Sequence, residues 1–325
     1  MSAETLPGSP LGGHRPPLQK IILGSRGSEL ARAQTAMVMT ALQRAWPKLE
    51  IAVEIMTTRG DDRSAEPDDP RAGRKGLFTG EIERVLAAGK IDLAVHSAKD
   101  LPSEETPGLE VRSALPRASV DDVLIGKVRG GLAALKTNSI VATGSVRRRY
   151  QLQWKHPEIR VVDLRGNVPT RLRKLKANEW DAIVLARAGV ERLGYDLSSG
   201  SFCFEEVRFH AEVLSPNEFL PAGGQGVIAM QLRSDDEKTK TIVDRITHAE
   251  TFFCLQAERT FLRLLQGDCG SPVGVLSTIE AQVMKMRAQV FEPGKSEPRS
   301  GEVQGSITDG VETLAADLLE RINDG

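Results

Sequence analysis

Four side chains able to carry acid–base or nucleophilic chemistry follow one short apolar run. Leu93-Ala94-Val95 leads directly into His96, Ser97, Lys99 and Asp100, and Pro102 then ends any regular structure. An uninterrupted apolar run suits a strand buried on both faces. In open α/β sheets the carboxyl ends of such strands open onto the ligand crevice. Asp100 is therefore a carboxylate that a rigid strand can hold at a cleft, with the Lys99 cation beside it. An ordinary strand-to-loop turn would use the same residues, the Asp as a cap and the Lys in solvent. Taken alone, the stretch favours that plainer reading.

Arginines shift the balance, because they gather where strands hand over to helices. Arg26 stands at one such junction and Arg147 with Arg148 at another, while Arg165 and Arg171 flank Gly166-Asn167-Val168-Pro169-Thr170. Helix N-termini already attract anions through unpaired N–H groups and the positive end of the helix dipole. Guanidinium groups add bidentate partners for carboxylates or phosphates. One residue advances about 100° around a helix, so Arg147, Arg148 and Arg149 cannot all point one way; the first two are assigned to the cleft. A single cluster of this kind reads as a solvated basic face, and several at equivalent junctions weaken that reading. The pattern describes a cleft for a polyanion with one carboxylate, Asp100, at its floor. Such a carboxylate, charged among cations, suits the steadying of a developing cation or the orienting of N–H donors.

The three cysteines differ. Cys203, between Phe202 and Phe204, and Cys254, after Phe252-Phe253, read as small buried hydrophobes. Cys269 stands in a turn with Gly267, Gly270 and Pro272. An exposed loop thiol there can carry a covalent adduct or be an incidental surface cysteine.

The elements that must position these groups follow from length and pattern. A chain of 325 residues exceeds one core, so two or three domains are expected. Residues 1–17, rich in Pro and Gly, read as a disordered tail. Strands are expected at 18–23 and 51–56, with a helix over 29–46 capped by Ser28 and stopped by Pro47. The charged stretch 58–75 reads as a lid or disordered loop, and Thr79 as the cap of a helix to Ala88. A second set has strands at 123–125, 140–143, 159–164 and 182–185, with helices from Ser145, Val168 and Ala188. This alternation points to parallel sheets with crossover helices. The glycine-rich 220–226 stretch returns the chain to the first domain and its strand at 227–232. Helices at 236–247 and 250–265, strands at 273–279, 283–290 and 302–306, and a helix at 311–322 complete the chain. The fold expected is thus α/β: two similar mixed-sheet domains flanking a cleft, and a small α+β third domain. The domains are expected at 18–116 with 226–245, 117–225, and 246–325.

Composition excludes several classes. Lys plus Arg number 43 against 44 Asp plus Glu, and aromatics are 4%, which disfavours nucleic-acid binding. No apolar run approaches a membrane span and no signal-peptide layout is present. Three widely spaced cysteines without a Cys-x-x-Cys pair argue against a disulfide framework and a metal site. A reduced, cytoplasmic protein is the simplest account.

Together these stretches resemble the porphobilinogen deaminase (hydroxymethylbilane synthase) family. The matching residues are Ser25-Arg26-Gly27-Ser28-Glu29-Leu30-Ala31 with Gln34, Thr58-Arg59-Gly60-Asp61, Lys75-Gly76-Leu77-Phe78-Thr79, Val95 to Pro102, and Thr143-Gly144-Ser145-Val146-Arg147-Arg148. They continue with Arg165-Gly166-Asn167-Val168, Thr170-Arg171-Leu172, Leu220-Pro221-Ala222, Gly224-Gln225-Gly226 and Ala257-Glu258-Arg259, running to Cys269 and Pro272. The resemblance implies a periplasmic-binding-protein-like pair of lobes. It implies a transferase that joins four porphobilinogen units head to tail, releases ammonia each time, and hydrolyses the chain to hydroxymethylbilane for tetrapyrrole and heme biosynthesis. It also implies a dipyrromethane primer held by a thioether to Cys269. Asp100 matches the catalytic position. Lys99, Ser145, Arg147, Arg148, Arg171 and Arg192 match cofactor-binding positions, and Arg26, Ser28, Gln34, Lys75 and Arg165 substrate-binding ones. A monomer without nucleic-acid or membrane partners is implied.

Four positions depart from the family pattern. Asp268 replaces a glycine before the cysteine, where its charge should slow thiolate formation. Gly144 replaces a common Ser, Gly80 a frequent Lys, and Pro169 is unusual in its motif. All spare the charged side chains. A different class, a two-lobed anion-binding module without catalysis, would explain the arginines but needs neither Cys269 nor Asp100.

Overall fold

The computed structural model describes residues 20–56, 79–267 and 271–324. The 1–17 tail, the 58–75 loop with Lys75, and the Asp268 and Cys269 positions lie outside the described residues.

The chain opens with β1 (Lys20–Arg26), α1 (Glu29–Ala45), β2 (Glu50–Met56), α2 (Gly80–Ala87), β3 (Leu93–Ser97) and β4 (Leu109–Ala114). Next come β5 (Asp122–Gly126), β6 (Ile140–Ala142), α3 (Val146–Lys155), β7 (Arg160–Val162), α4 (Val168–Ala177), β8 (Ala182–Ala186), α5 (Arg187–Glu191), β9 (Ser201–Phe204) and β10 (Val207–Leu214). It ends with β11 (Ile228–Arg233), α6 (Glu237–Asp244), α7 (Ala249–Leu264), β12 (Val273–Glu280), β13 (Val283–Val290), β14 (Arg299–Ser306) and α8 (Val311–Asn323). Ser28, Ser145 and Asn167 cap α1, α3 and α4 by accepting the backbone N–H three residues on. Thr79 does not cap α2: its backbone is already helical and its buried hydroxyl finds no partner among the described residues.

Among the described residues the strands form three sheets, ordered β2-β1-β3-β11-β4, β7-β6-β8-β5-β10-β9 and β12-β13-β14. The first two are mixed and not wholly parallel. Strand β1 is parallel to β2 and β3, but β11 is antiparallel to β3 and β4. Likewise β6 is parallel to β7 and β8, while β5 is antiparallel to β8 and β10. The reversals arise because β11 and β5 enter from the two connections that cross between sheets, not from a local βαβ turn. Strands β4, β9 and β10 also join these sheets beyond those expected from the sequence. The third sheet is antiparallel, with α7 and α8 on one face.

Each sheet has its own core. Ile21, Leu23, Val38, Leu42, Val95 and Met230 fill the first, Val123, Ile125, Leu172, Ile183 and Phe209 the second, and Phe261, Val275, Met286 and Leu318 the third. Cys203 departs from expectation: alternation along β9 turns Phe202 and Phe204 inward and leaves Cys203 exposed. Cys254 is buried, and burial pushes its thiol up to about 12.

Candidate active site

Strand β3 ends in a single 3-10 turn, Ala98–Asp100, that delivers Lys99 and Asp100 to the end of the first sheet. The turn is pressed from behind. Ala98 donates its N–H to the Val227 carbonyl at 3.0 Å. Gly224 lies so close that a Cβ there would meet the Ala98 backbone at 3.0 Å and the Lys99 nitrogen at 3.1 Å. Its φ of +72° suits glycine for the same position.

Residues of the second sheet face this turn. Burial, followed by the charge of Arg148, draws the Lys99 ammonium down to about 8; Asp100 and Asp122 oppose this and Arg171 adds to it. Lys99 therefore shares one electrostatic neighbourhood with Arg148 of α3 and Arg171 of α4. Asp122, fully buried at the start of β5, organises that side. Its two oxygens accept from Arg147 Nη2 at 2.8 Å and Arg148 Nη2 at 2.7 Å, and from Gln225 Nε2 at 2.8 Å. Burial alone would raise this carboxyl, but the two guanidinium groups hold it well below the usual carboxylate range. Arg147 also donates to the Gln151 side chain and the Leu220 carbonyl, both at 2.7 Å, and Arg148 to the Val184 carbonyl at 3.0 Å. The expected open pair of arginines is thus anchored from below, and only 3% and 5% of their surfaces are exposed. The Nε atoms of Arg147, Arg148 and Arg192 are buried donors without partners among the described residues.

The other expected residues divide. Arg192 donates to the Gly226 carbonyl at 2.7 Å, and burial lowers it to about 10. Arg171 donates to the Gly166 carbonyl at the start of α4. Arg26 closes β1 half-buried, and Ser28 and Ser145 serve as helix caps. Gln34 is buried under the turn, where its amide exchanges two hydrogen bonds with Ser97, so it supports β3 rather than facing open space. Arg165 is a surface residue paired with Asp163 at 3.1 Å. Arg149 turns away, to the Val161 carbonyl and Asp163.

Sequence reasoning missed what lies beneath. His96 reaches Gln231 at 3.1 Å, and Gln231 donates to Glu83 at 2.9 Å. Burial, with lesser contributions from Arg26 and Arg259, drops His96 to about 4, so it is neutral at physiological pH. Because the Gln231 oxygen only accepts, His96 Nε2 carries the proton. Asp122 and Arg117 were equally unsignalled, and Glu258 stood in a matching stretch without a role. Of the departures, Gly144 has a structural account: a side chain there would meet the Leu164 carbonyl oxygen at 2.3 Å. Pro169 sits in the first turn of α4, where no N–H is needed, and Gly80 faces open space.

A cavity of about 270 Å³ opens elsewhere, at the opposite end of β5 and β8, lined by Gly126, Arg129, Asp181, His210 and Glu212 among others. It contains none of the residues above. No helix among the described residues is long and apolar enough to cross a membrane.

Comparison with known proteins places the chain among its relatives. Residues 21–241 match the family model described as "Porphobilinogen deaminase, dipyromethane cofactor binding domain", and residues 252–324 match "Porphobilinogen deaminase, C-terminal domain". Porphobilinogen deaminase of Roseiflexus sp. (strain RS-1) is 42% identical over 308 residues, covering 93% of this chain and 97% of its own. That of Thermus thermophilus is 38% identical over 309 residues, 94% and 97% of the two chains. Among solved structures, the methionine binding protein MetQ aligns with 72% of this chain and 92% of its own at 12% identity and a TM-score of 0.43. That likeness is too slight to bear on the fold, which rests on the sheets themselves. The chain belongs to the porphobilinogen deaminase family.

Proposed function

We propose that this chain is a transferase that condenses four porphobilinogen molecules head to tail, releasing ammonia at each step, and frees the product by hydrolysis. One observation carries the reading: the turn bearing Asp100 and Lys99 at the end of one sheet lies within electrostatic reach of Arg148, which Asp122 anchors beside the other sheet. The residues fit a dipyrromethane primer, because its acidic side chains are natural acceptors for the unpartnered Arg147, Arg148 and Arg192 donors. When bound, that group supplies the pyrrole end to which the next unit is joined.

This chain's own residues do the rest. Lys99, Arg148 and Arg171 bind carboxylates, with Ser145 and Arg192 beside them, and Arg26, Ser28, Gln34, Lys75 and Arg165 serve the incoming substrate. Of these, Gln34 acts through Ser97 and Arg165 from the surface. The Asp100 carboxylate steadies positive charge that develops on the substrate as ammonia leaves and orients pyrrole N–H donors, a fixed charge that needs no reorganisation during the step. Neutral His96 stays below as a support and takes no proton at neutral pH. Cys269 is the attachment point for the primer. Supporting this, Ser103, three residues after Asp100, donates to the carbonyl of Gly267, two residues before Cys269. The domain division at 116/117, 225/226 and 245/246 is supported by the separate cores of the sheets. A cytoplasmic monomer is in keeping with a small-molecule substrate.

Intact-mass measurement of the purified protein tests the proposal. A mass excess of two pyrrole units is expected, absent in Cys269→Ala, together with porphobilinogen consumption and ammonia release. An active protein of unmodified mass would overturn the mechanism. Asp100→Ala should keep the mass excess and lose almost all turnover.

A further inference from the structure

The turn that carries Asp100 is backed by the third unit. Leu255 of α7 packs with Ala98 and Leu101, and Phe252 lies against the same cluster. Beyond Leu101 the backbone is held by two hydrogen bonds. Arg259 of α7 donates from Nη1 to the Pro102 carbonyl at 2.8 Å, and Ser103 Oγ donates to the Gly267 carbonyl at 2.8 Å.

Both anchor points are themselves fixed. Helix α7 closes with the Gly267 N–H on the Leu262 carbonyl at 2.8 Å and the Gln266 N–H on the Arg263 carbonyl at 3.0 Å. This is the paired closure of a helix C-terminus, with Gln266 at φ 55° in the left-handed position usually given to glycine. Gly267 is thus tied to the end of α7 through its own N–H. Arg259 is only 7% exposed, and among the described residues it donates to a neutral carbonyl, that of Pro102. Burial depresses its guanidinium, with the charges of Glu105 and Glu83 offsetting part of that. A nearly buried cation with no carboxylate bonded to it among the described residues is costly. An apolar residue would fill the space more cheaply but could not hold the Pro102 carbonyl.

On the reading given under Proposed function, we infer that Arg259 and Ser103 are positioning residues of the reaction, fastening the 100–103 backbone to α7 and thereby fixing where the Asp100 carboxylate stands. Neither side chain needs to touch substrate. Their effect passes through the backbone two and three residues after Asp100.

The test is steady-state kinetics on the primer-loaded enzyme, with kcat normalised to the loaded fraction read by intact mass. Ser103→Ala should lower kcat about tenfold while KM stays within about twofold, since misplacement of a reacting group acts on the chemical step. Ser103→Thr, which keeps the hydroxyl, should restore most of the loss. Arg259→Met should lower kcat further; if it fails to fold, the Ser103 pair decides alone. Unchanged kcat in loaded Ser103→Ala, or a loss that Ser103→Thr does not recover, would overturn the inference while leaving an active wild type and its mechanism standing. A wild type with neither mass excess nor turnover would instead overturn the functional reading and this inference with it.

Discussion

With its carboxylate buried between Arg147 and Arg148, Asp122 holds two cations in place for ligands that are themselves anions. Removing one partner of a buried pair leaves charge uncompensated, so Asp122→Asn should cost about 3–5 kcal/mol in urea-induced unfolding. The acid limb follows from the sign of the shift. The folded carboxyl is depressed, so its stabilisation is fully present above the unfolded value near ~3.9 and is lost only as pH falls towards the folded value. Lys99 gives the opposite limb. Its ammonium, drawn down to about 8, loses its proton as pH rises through that value, so its pull on carboxylates fades. KM for porphobilinogen should rise between about pH 7 and 9, and Lys99→Gln should flatten that rise; an equally steep rise in the variant would remove Lys99 from binding. At this scale the sequence showed which residues are charged and that they stand at junctions. It could not show that both adjacent arginines grip one aspartate, because Asp122 is 25 residues away from Arg147 and reads as an ordinary strand start.

At the level of elements, the returning crossover passes tightly against the Asp100 turn. Gly224→Ala forces a left-handed backbone on a residue with a Cβ, at about 1–2 kcal/mol, and drives that Cβ against Ala98 and Lys99. Gly89, also left-handed at φ +68° but with nothing within 4 Å, supplies the comparison. Gly89→Ala should lower thermal stability alone, whereas Gly224→Ala should lower both stability and kcat per loaded enzyme. Equal kcat in the two variants would separate the crossover from the turn. The helices were legible because caps and stops are local: Ser28, Ser145, Asn167 and Pro47 mark their ends in the sequence itself. Strands β4, β9 and β10 were not, and neither was the antiparallel setting of β5 and β11. Strand direction depends on which neighbour a crossing chain finds, and that is a long-range fact. The alternation Phe202-Cys203-Phe204 was readable as a half-buried strand, which would have placed Cys203 outward.

For the whole molecule, one buried carboxylate joins the three sheets. Glu258 on α7 is 0% exposed and takes Arg117 Nη1 at 2.7 Å and Nη2 at 3.1 Å, the Gly224 N–H at 2.7 Å and the Ser277 N–H at 2.7 Å. Arg117 lies on the outgoing connection and Gly224 on the returning one, while Ser277 lies on β12, so a single side chain meets both crossings and the third sheet. Arg117 completes the knot by donating to the Gln225 carbonyl at 2.9 Å. Glu258→Gln removes the charge that compensates Arg117 and puts amide hydrogens where a second N–H already points. The loss should be about 3–5 kcal/mol, and its form matters more than its size. Glu258 is a polar link among the three units, beside the apolar contact of Leu255 with Ala98 and Leu101, and its removal should let β12–β14 open independently. Protection against hydrogen exchange in that sheet should then fall below the global unfolding limit in the variant, so its amides exchange faster than those of the other two sheets, while in the wild type the core amides of all three sheets exchange through one common opening. A variant that loses stability yet still protects all three sheets equally would mean that apolar packing, not Glu258, binds the third unit to the other two.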